Sequence, residues 1–324
     1  MSDGNATGGQ EGGKTAGLRP KVVLLTAYDA ESEGIDETSG FLGNREFTAE
    51  VAVRGTSRPV VVDEAGEILL AVTGVGNVEA ALTVDSLVAS PRIDCSAAYF
   101  LTVGSAGASP EVATLGSVVI NDYILSWDQK RRHSPSDDRE SGTWIETFSF
   151  KSDDEVCKTC DSVLVGAARE IGTSVPLADS ESLWQYRRQY PFEAAQSEPS
   201  VSVGASVSGS EFWHGRACSA RARDLAERYG VGRYYTTEME GFGTAIALHR
   251  RGLLDRYLSV RGVSNFDRPH PGQPASESVS HDELAFDTCI ENVSRVVSAI
   301  VSRILDNWTQ WQDSVPPRFE ATLS

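Results

Sequence analysis

Short apolar runs alternate with longer amphipathic stretches along most of this chain. Compact aliphatic runs bounded by glycine or polar residues predict buried strands, whereas apolar residues three and four positions apart predict helices. Because the two kinds of segment alternate, the pattern predicts an α/β fold with helices layered around a largely parallel sheet. The predicted strands are 22–27, 68–73, 98–103, 116–122 and 256–263, and the predicted helices are 77–89, 154–171, 216–229, 239–251 and 281–308.

The polar ends of the chain divide it into one domain and two tails. Residues 1–19 are rich in Gly, Thr and Asn and hold too little apolar surface to fold, so we interpret them as a flexible tail. Residues 20–312 then form a single domain, followed by a C-terminal tail at 313–324. A chain of 324 residues buries roughly three quarters of its unfolded surface, so one hydrophobic core is enough.

The charge balance and the hydropathy argue against two classes of partner. The formal net charge is −17, which disfavours nucleic acid because phosphate contacts need clustered Lys and Arg. No run approaches the roughly 20 apolar residues of a membrane helix, and the first residues lack the apolar core of a signal peptide. We therefore expect a cytoplasmic protein without a membrane span.

The cysteines and histidines predict neither a disulfide framework nor a metal site. Five cysteines are an odd number in a chain of this size, which favours a reducing compartment. Cys157 and Cys160 have redox or zinc spacing, but no second pair exists and both fall within the predicted helix. Gly74-Val-Gly76 is similar to a dinucleotide-binding turn, yet Glu79 replaces its third glycine. We expect no cofactor.

Three strand ends and one helix start carry the polar residues best suited to a ligand, since open α/β sheets bind ligands at the carboxyl edge. The run Tyr99 to Gly107 is interpreted as a buried strand that breaks into a small-residue turn, where backbone N–H groups can approach a ligand. Tyr257 to Asn265 ends in polar residues, and Val22 to Glu31 delivers an acid. Glu238-Met239-Glu240 opens an apolar helix, where the helix dipole alone would also favour acids.

Five motifs, taken together, carry a family resemblance. They are Thr73–Ala81, Tyr99–Gly107, Phe212–Gly215, Glu238–Glu240, and Val263–Asp267 followed by Pro269–Gln273. In this order they resemble the purine nucleoside phosphorylase and nucleosidase superfamily, most closely its purine nucleoside permease branch, from about residue 21 to residue 305. The resemblance implies a single-domain, three-layer α/β fold of the nucleoside phosphorylase type around a mixed, largely parallel sheet. It also implies a purine nucleoside as the ligand.

The resemblance places the sugar at the Glu-Met-Glu segment. Glu240 is expected to accept hydrogen bonds from the ribose 2′- and 3′-hydroxyls, each contributing about 1.5–3 kcal/mol because the acceptor is charged. Met239 is expected to lie under the sugar as a soft apolar contact. Glu238 is a further substrate-binding candidate.

The base is expected between an aromatic segment and an amide. Phe212 is similar to the phenylalanine that stacks on the base in nucleosidases, with Trp213 beside it; ordinary core packing is the alternative for both. His214 is a ligand candidate only, since a lone histidine beside glycine is more often a satisfied surface or core group. Ser264 adjoins Asn265 and is a candidate contact.

Asn265 stands where adenine-directed relatives carry an aspartic acid that protonates the purine at N7. An amide cannot deliver a proton, but it can donate a hydrogen bond to N7 and exchange others with a 6-oxo group. General-acid help of roughly 10²- to 10⁴-fold is then absent or supplied elsewhere, and 6-oxopurines are favoured over adenosine. Arg261 is expected to order the neighbouring carboxylates, with a purely structural ion pair as the alternative.

The choice of nucleophile depends on residues at the first and third strand ends. Glu31 matches the nucleosidase acid that activates water, and Gly104 and Ser105 match that family's Gly-Ser turn. Phosphorolytic relatives carry an arginine where this chain has Thr102, so a phosphate dianion would lack its bidentate partner. Hydrolysis is our first hypothesis. Phosphorolysis with phosphate as co-substrate is the second, its anion site supplied by an arginine elsewhere in the chain or in a partner subunit.

A hypothesis of another class is a soluble nucleoside-binding protein that serves uptake. Such a protein would keep Glu240 and Phe212 for binding and would have no use for Glu31. By analogy with the nucleosidases we expect a homo-oligomer, and specifically a dimer.

Overall fold

The chain folds around one large mixed sheet. The computed structural model describes residues 17–29, 36–38, 45–129, 131–132, 145–146, 156–280 and 282–313. The strands in these ranges are β1 (Val22–Thr26), β2 (Phe47–Val51), β3 (Val60–Asp63), β4 (Ile68–Val72), β5 (Tyr99–Ala108), β6 (Val118–Asn121), β7 (Tyr123–Ser126), β8 (Arg131–Arg132), β9 (Ile145–Glu146), β10 (Cys157–Thr159), β11 (Val201–Val203), β12 (Ala205–Ser208), β13 (Tyr234–Glu238) and β14 (Tyr257–Phe266). The helices are α1 (Asn77–Ala89), α2 (Ser162–Thr173), α3 (Glu181–Arg187), α4 (Glu193–Gln196), α5 (Arg216–Arg228), α6 (Gly241–Arg250), α7 (Ala275–Ser280), α8 (Asp282–Asp306) and α9 (Trp308–Trp311), with a 3₁₀ turn at Leu254–Arg256.

The central strands of the sheet run parallel. β1 pairs with β4 on one side and with β5 on the other, and β14 pairs with β5, all in parallel. The outer strands β2, β3 and β10 pair antiparallel, as does β14 with β6. The prediction of an α/β fold around a mixed sheet is confirmed. Because β1, β5 and β14 are parallel, their carboxyl ends lie at the same sheet edge.

Helices cover the sheet and complete the hydrophobic core. α8 packs against β14, β5 and α2, while α1 and α6 pack against each other. The core between them consists of fully buried aliphatic side chains, because these central strands are covered by helices and carry apolar residues almost continuously. α1, α5, α6 and α8 begin and end within two residues of the helices predicted from the sequence.

The helix predicted over 154–171 is wrong at its start. Cys157–Thr159 forms β10, which pairs antiparallel with β7, and α2 begins only at Ser162. Asp161 explains the boundary, because its carboxylate accepts hydrogen bonds from the backbone N–H groups of Val163 and Leu164, both at 2.9 Å. Cys157 and Cys160 are both free thiols, and burial raises the pKa of Cys160 to about 12.

The small-residue turn expected at Gly104 to Gly107 is also wrong, because β5 continues as a strand through Ala108. β14 likewise runs to Phe266, three residues further than predicted, and stays paired with β5. β7, β12 and β13 were not predicted. They are short, and polar residues such as Ser206 and Thr236 are fully buried in them, so their hydrophobic pattern is weak.

Two further observations concern the predicted N-terminal tail and the length of the helices. Leu18 lies inside the predicted N-terminal tail, yet its N–H donates to the Arg92 carbonyl at 2.9 Å and its carbonyl accepts from Asp94 N–H at 2.8 Å. In the described ranges, no helix combines the length and the apolar content needed to cross a bilayer.

Candidate functional site

A cavity of about 210 Å³ opens at the carboxyl ends of β1, β5 and β14. Eight of the twelve sequence-predicted site residues line its wall, and the five-residue segment from Glu211 to the helix α5 contributes its aromatic side. The lining residues are Ala27, Tyr28, Glu37, Val75, Ser105, Ala106, Gly107, Glu211, Phe212, Trp213, Thr237, Glu238, Met239, Glu240, Ser264, Asn265 and Phe286.

The two carboxylates of the Glu-Met-Glu segment are held differently. Glu238 meets four donors: the N–H groups of Glu240 at 2.9 Å and Gly241 at 2.7 Å, the Ser206 hydroxyl at 3.3 Å, and Arg261 Nη2 at 2.5 Å. Three of these donors meet Oε2 and one meets Oε1, so the protein occupies most of the roughly four acceptor positions of Glu238. This geometry makes Glu238 the anchor of the segment.

Glu240 keeps acceptor positions free. Among the described residues, the donors to its carboxylate are Gly76 N–H at 3.1 Å and Arg261 Nη2 at 3.3 Å, although the side chain is nearly fully buried. Two of about four acceptor positions therefore face the cavity without a donor from the described residues. Of the two glutamates, Glu240 is the one able to accept hydrogen bonds from a ligand.

Electrostatics at Glu240 reflect this partial pairing. Burial raises its pKa to about 7, Arg261 opposes the shift, and the neighbouring charges of Glu238 and Glu37 add to it. Burial alone would lower the pKa of Arg261, but the three glutamates raise it above its usual value. Arg261 lies behind the wall, is almost wholly buried, and forms ion pairs with both carboxylates.

The start of α6 explains why the Glu-Met-Glu segment is rigid. The first N–H groups of a helix have no partner within it, and here other segments supply the acceptors. Asn77 Oδ1 accepts from Gly243 N–H at 2.8 Å, and the Ser208 hydroxyl accepts from Phe242 N–H at 3.0 Å. A Cβ on Gly243 would lie 1.9 Å from the Asn77 carbonyl oxygen, so only glycine permits this contact. The start of α6 is therefore held against Asn77, the first residue of α1, and against Ser208 of β12.

Glu37 is a site residue that sequence reasoning missed. Its carboxylate accepts from Ala27 N–H at 2.9 Å, Ser105 N–H at 2.8 Å and the Ser105 hydroxyl at 3.0 Å. The side chain is buried and lines the cavity. Donors from the described residues occupy three of about four acceptor positions, which leaves one for a further donor. Glu31, the predicted acid, lies outside the described residues.

Glycines in β5 allow the side chains of Glu37 and Thr237 to lie close to the strand. A Cβ on Gly104 would lie 2.4 Å from Glu37 Oε1, and one on Gly107 would lie 2.7 Å from the Thr237 hydroxyl. Gly104 does not itself line the cavity, but it makes room for the carboxylate that does.

Tyr28 lines the cavity and was also missed as a site residue. Burial raises the pKa of its phenol, and the charges of Glu240 and Glu37 raise it further.

Phe212 and Asn265, the two residues expected to meet a base, both line the cavity. Phe212 is 57% exposed and lines the cavity, so it is available for stacking. Asn265 Oδ1 accepts from the Ser264 hydroxyl at 3.1 Å, and Nδ2 donates to the Phe266 carbonyl at 3.3 Å. One N–H and one lone pair of the Asn265 amide remain for a ligand.

Trp213 and His214 differ from Phe212. Trp213 is buried and stacks on Trp127, with ring centroids 5.1 Å apart, so the packing alternative describes most of its surface. His214 is absent from the cavity wall, and neither of its ring nitrogens has a hydrogen-bond partner among the described residues. Burial lowers the pKa of His214, which favours the neutral imidazole.

The charge of the cavity opposes anions. Four carboxylates line it, those of Glu37, Glu211, Glu238 and Glu240, whereas none of the described lining residues is Lys or Arg. Thr102 is buried and its hydroxyl is 2.9 Å from that of Tyr257, away from the wall. Arg261 is already shared between two of the four acids.

Comparison with known proteins assigns the family. A family profile described as purine nucleoside permease matches residues 19–316 of the chain. This chain belongs to the purine nucleoside permease family. A probable purine nucleoside permease of Schizosaccharomyces pombe is 25% identical over 329 aligned residues, which span 92% of this chain and 93% of that protein. A purine nucleoside permease of Candida albicans is 24% identical over 322 aligned residues, spanning 91% and 77%.

Solved structures share the fold of this permease family member. A 5′-methylthioadenosine/S-adenosylhomocysteine nucleosidase from Neisseria meningitidis, solved with methylthio-immucillin-A, has a TM-score of 0.59 and 19% identity, and covers 87% of this chain and 99% of its own. A futalosine hydrolase of Helicobacter pylori has a TM-score of 0.60 and 16% identity, covering 88% and 98%. The resemblance drawn from the five motifs is confirmed, and so is the nucleoside phosphorylase type of fold.

Proposed function

We propose that this protein cleaves the N-glycosidic bond of purine nucleosides with water as the acceptor. The observation that carries the proposal is that two buried carboxylates, Glu240 and Glu37, line one cavity and differ in the number of acceptor positions left by the described donors, two for Glu240 and one for Glu37. One suits the recognition of a diol, and the other suits the activation of a single water. The names of the structural neighbours, which are nucleosidases and a hydrolase, support the same chemistry.

The sugar binds at Glu240. Its free acceptor positions take the ribose 2′- and 3′-hydroxyls, and its negative charge stabilises the cationic character that develops at C1′. Met239 lies beneath the ring. Glu238 is a positioning residue. Its carboxylate accepts from the backbone N–H groups of Glu240 and Gly241 and so fixes the start of α6.

The purine stacks on Phe212 and meets Asn265. The free N–H of the Asn265 amide donates to N7 and stabilises the negative charge that the leaving base acquires. Once the leaving 6-oxopurine takes up its proton at N7, the Asn265 oxygen accepts from that N7–H and the free N–H of the amide donates to O6 instead. Because an amide has no proton to transfer, this arrangement favours 6-oxopurine nucleosides such as inosine and guanosine over adenosine.

Glu37 activates the nucleophile. Its free acceptor position takes a water, and the carboxylate removes a proton from it as the water oxygen bonds to C1′. The C1′–N9 bond breaks and its electron pair leaves with the purine, which is then protonated. The products are free ribose and free base. This assigns to Glu37 the role that the sequence resemblance gave to Glu31.

Hydrolysis is favoured over phosphorolysis by the charge of the wall. A phosphate dianion would meet four lining carboxylates and, among the described lining residues, no Lys or Arg. A neutral water carries no such penalty. Phosphorolysis would require a cation from beyond these lining residues, supplied by another part of the chain or by a partner subunit.

A nucleoside-binding protein for transport is the second candidate, and the permease names of the sequence relatives favour it. Such a protein would use Glu240, Phe212 and Asn265 for binding. Glu37 would then serve only to join Ala27 and Ser105, through the hydrogen bonds described above.

The decisive experiment incubates the protein with inosine, guanosine and adenosine, with and without phosphate, and identifies products by chromatography. We expect ribose and base without phosphate, fastest for the 6-oxopurines, and a loss of about 10²- to 10⁴-fold in kcat for Glu37→Gln. The variant should keep its nucleoside affinity, measured by calorimetry. Ribose 1-phosphate as the product would overturn hydrolysis. Binding without cleavage in the wild type would establish the transport candidate.

A further inference from the structure

A second cavity, of about 320 Å³, lies apart from the nucleoside site and shares no lining residue with it. Three arginines line it: Arg216 and Arg223 from α5, and Arg268 from the segment after β14. Glu111 is its one lining acid among the described residues, and the rest of the wall is aromatic or proline. The composition is the reverse of the first cavity, which is lined by acids.

The arginines of this cavity outnumber their partners. Arg223 Nη2 and Arg268 Nη2 bind the same oxygen of Glu111, at 2.9 and 2.7 Å. Asp267, buried behind the wall, lies 3.7 Å from Arg268 Nη1. Arg216 is exposed and has no ion pair within the described parts of the chain. Even when Asp267 is counted, one positive charge remains in excess, in a chain whose net charge is −17.

The rest of the wall suits a flat apolar group. Tyr190 and Phe192 line the cavity, and the Arg268 guanidinium lies over the Phe192 ring at 5.5 Å from its centroid. Arg268 is itself largely buried and is fixed by the Ser219 hydroxyl as well as by Glu111. A preorganised guanidinium beside an aromatic surface binds an oxyanion and stacks its attached ring at the same time.

We propose that this second cavity binds an organic phosphate monoester with an aromatic or similarly flat body. Its phosphate contacts Arg216, Arg223 and Arg268, and its body packs on Tyr190 and Phe192. Guanidinium groups that arrive from two separate segments match the several oxygens of a tetrahedral phosphate better than the two oxygens of a planar carboxylate. Arg216 opens α5, so the positive end of the helix dipole lies at the same rim.

The test is calorimetric titration of the full chain with phenyl phosphate, inorganic phosphate and benzoate. We expect one phenyl phosphate per chain, with weaker binding of the other two. Arg216→Ala with Arg223→Ala should weaken phenyl phosphate about 100-fold, roughly tenfold for each charge-assisted contact. Arg228→Ala is the matched control, since Arg228 lies on the same helix and pairs with Asp224 outside the cavity. Its affinity should equal that of the wild type.

Further variants keep the outcome decisive. Arg216→Glu removes no ion pair within the described residues, so it tests the site without disturbing the Glu111 pairs and should abolish binding. Phe212→Ala should leave phenyl phosphate affinity unchanged, because Phe212 lines only the first cavity. The proposal is overturned by any of four results: no binding up to about 10 mM, unchanged affinity in Arg216→Glu, lost affinity in Phe212→Ala, or benzoate binding as tightly as phenyl phosphate.

Discussion

Gly104→Ala should remove catalysis while sparing binding, although Gly104 does not line the nucleoside cavity. Its Cβ would lie 2.4 Å from Glu37 Oε1 and 2.7 Å from the Oε2 and Cδ atoms of the same carboxyl group. Heavy atoms in contact prefer about 3.5–4.0 Å, so the carboxylate must retreat by about 1 Å. The retreat breaks the hydrogen bonds from Ala27 and Ser105 that aim Glu37 at the cavity.

The size of the effect follows from that displacement. A misplacement of about 1 Å in a catalytic group costs about 10²-fold in rate, so kcat should fall by about that factor. The three atoms nearest the new methyl group all belong to Glu37 and none to Glu240, so KM for the nucleoside should change less than about threefold, or under 1 kcal/mol. The expected signature is a split between kcat and KM.

Steady-state kinetics with inosine measures both parameters, and Gly166→Ala is the matched control. Gly166 lies in α2, and a Cβ there meets no atom within 4 Å, so this variant should keep full activity. Combining Gly104→Ala with Glu37→Ala should give no further loss beyond Glu37→Ala alone, because both changes remove the same group. A Gly104→Ala protein with wild-type kcat, or with KM raised as much as kcat is lowered, would refute the reasoning.

Three further predictions concern the sugar and base contacts. Arg261→Met should lower the free energy of unfolding by about 3–5 kcal/mol in urea denaturation, because Glu238 and Glu240 would remain buried without their cation; a loss below about 1 kcal/mol would contradict this. The pKa of Glu240 is raised to about 7, so its ionised form appears only as pH rises through that value. Nucleoside affinity should therefore increase between about pH 6 and 8, and the increase should vanish in Glu240→Gln. The contribution of Glu240 to stability declines at lower pH, between its ordinary pKa of 4.5 and the raised value of about 7, because only the unfolded chain ionises there. Asn265→Asp places an acid near N7 and should raise adenosine cleavage relative to inosine by about tenfold or more, and an unchanged ratio by chromatography would argue against that contact.

The long helix α8 was predicted well because its hydrophobic pattern matches the face that it buries. Val293, Val297, Ile300 and Ile304 recur at helical spacing in the sequence and are all buried. Strands that bury polar side chains were harder to predict. β12 and β13 place Ser206 and Thr236 in the interior, where hydrogen bonds hold them, and a hydrophobicity scale does not detect such residues. The turn predicted within β5 failed for a related reason, since its small residues serve close approach of neighbouring side chains rather than a change of direction.

Most of the candidate residues that line the cavity were named from the sequence, but Glu37 was not. Glu240, Met239 and Arg261 follow from motifs with fixed spacing on one strand and one helix. The segment after β1 holds five acids within nine residues, and spacing from the strand end cannot choose among them. Only the three donors on Ala27 and Ser105 single out Glu37. Glu238 accepts four hydrogen bonds from the described residues and Glu240 accepts two, and this difference likewise depends on hydrogen bonds between distant segments.

The two halves of the nucleoside site are encoded in separate parts of the chain. Glu240, Arg261 and Asn265 lie on β14 and at the start of α6, whereas Glu37 is attached to the sheet by hydrogen bonds at Ala27 and Ser105 alone among the described residues. Under the mechanism proposed above, a single codon change at Glu37 would leave the recognition surface whole while removing the reaction. An enzyme and a carrier on this scaffold would then be one mutation apart, so a lineage could exchange one activity for the other without rebuilding its fold.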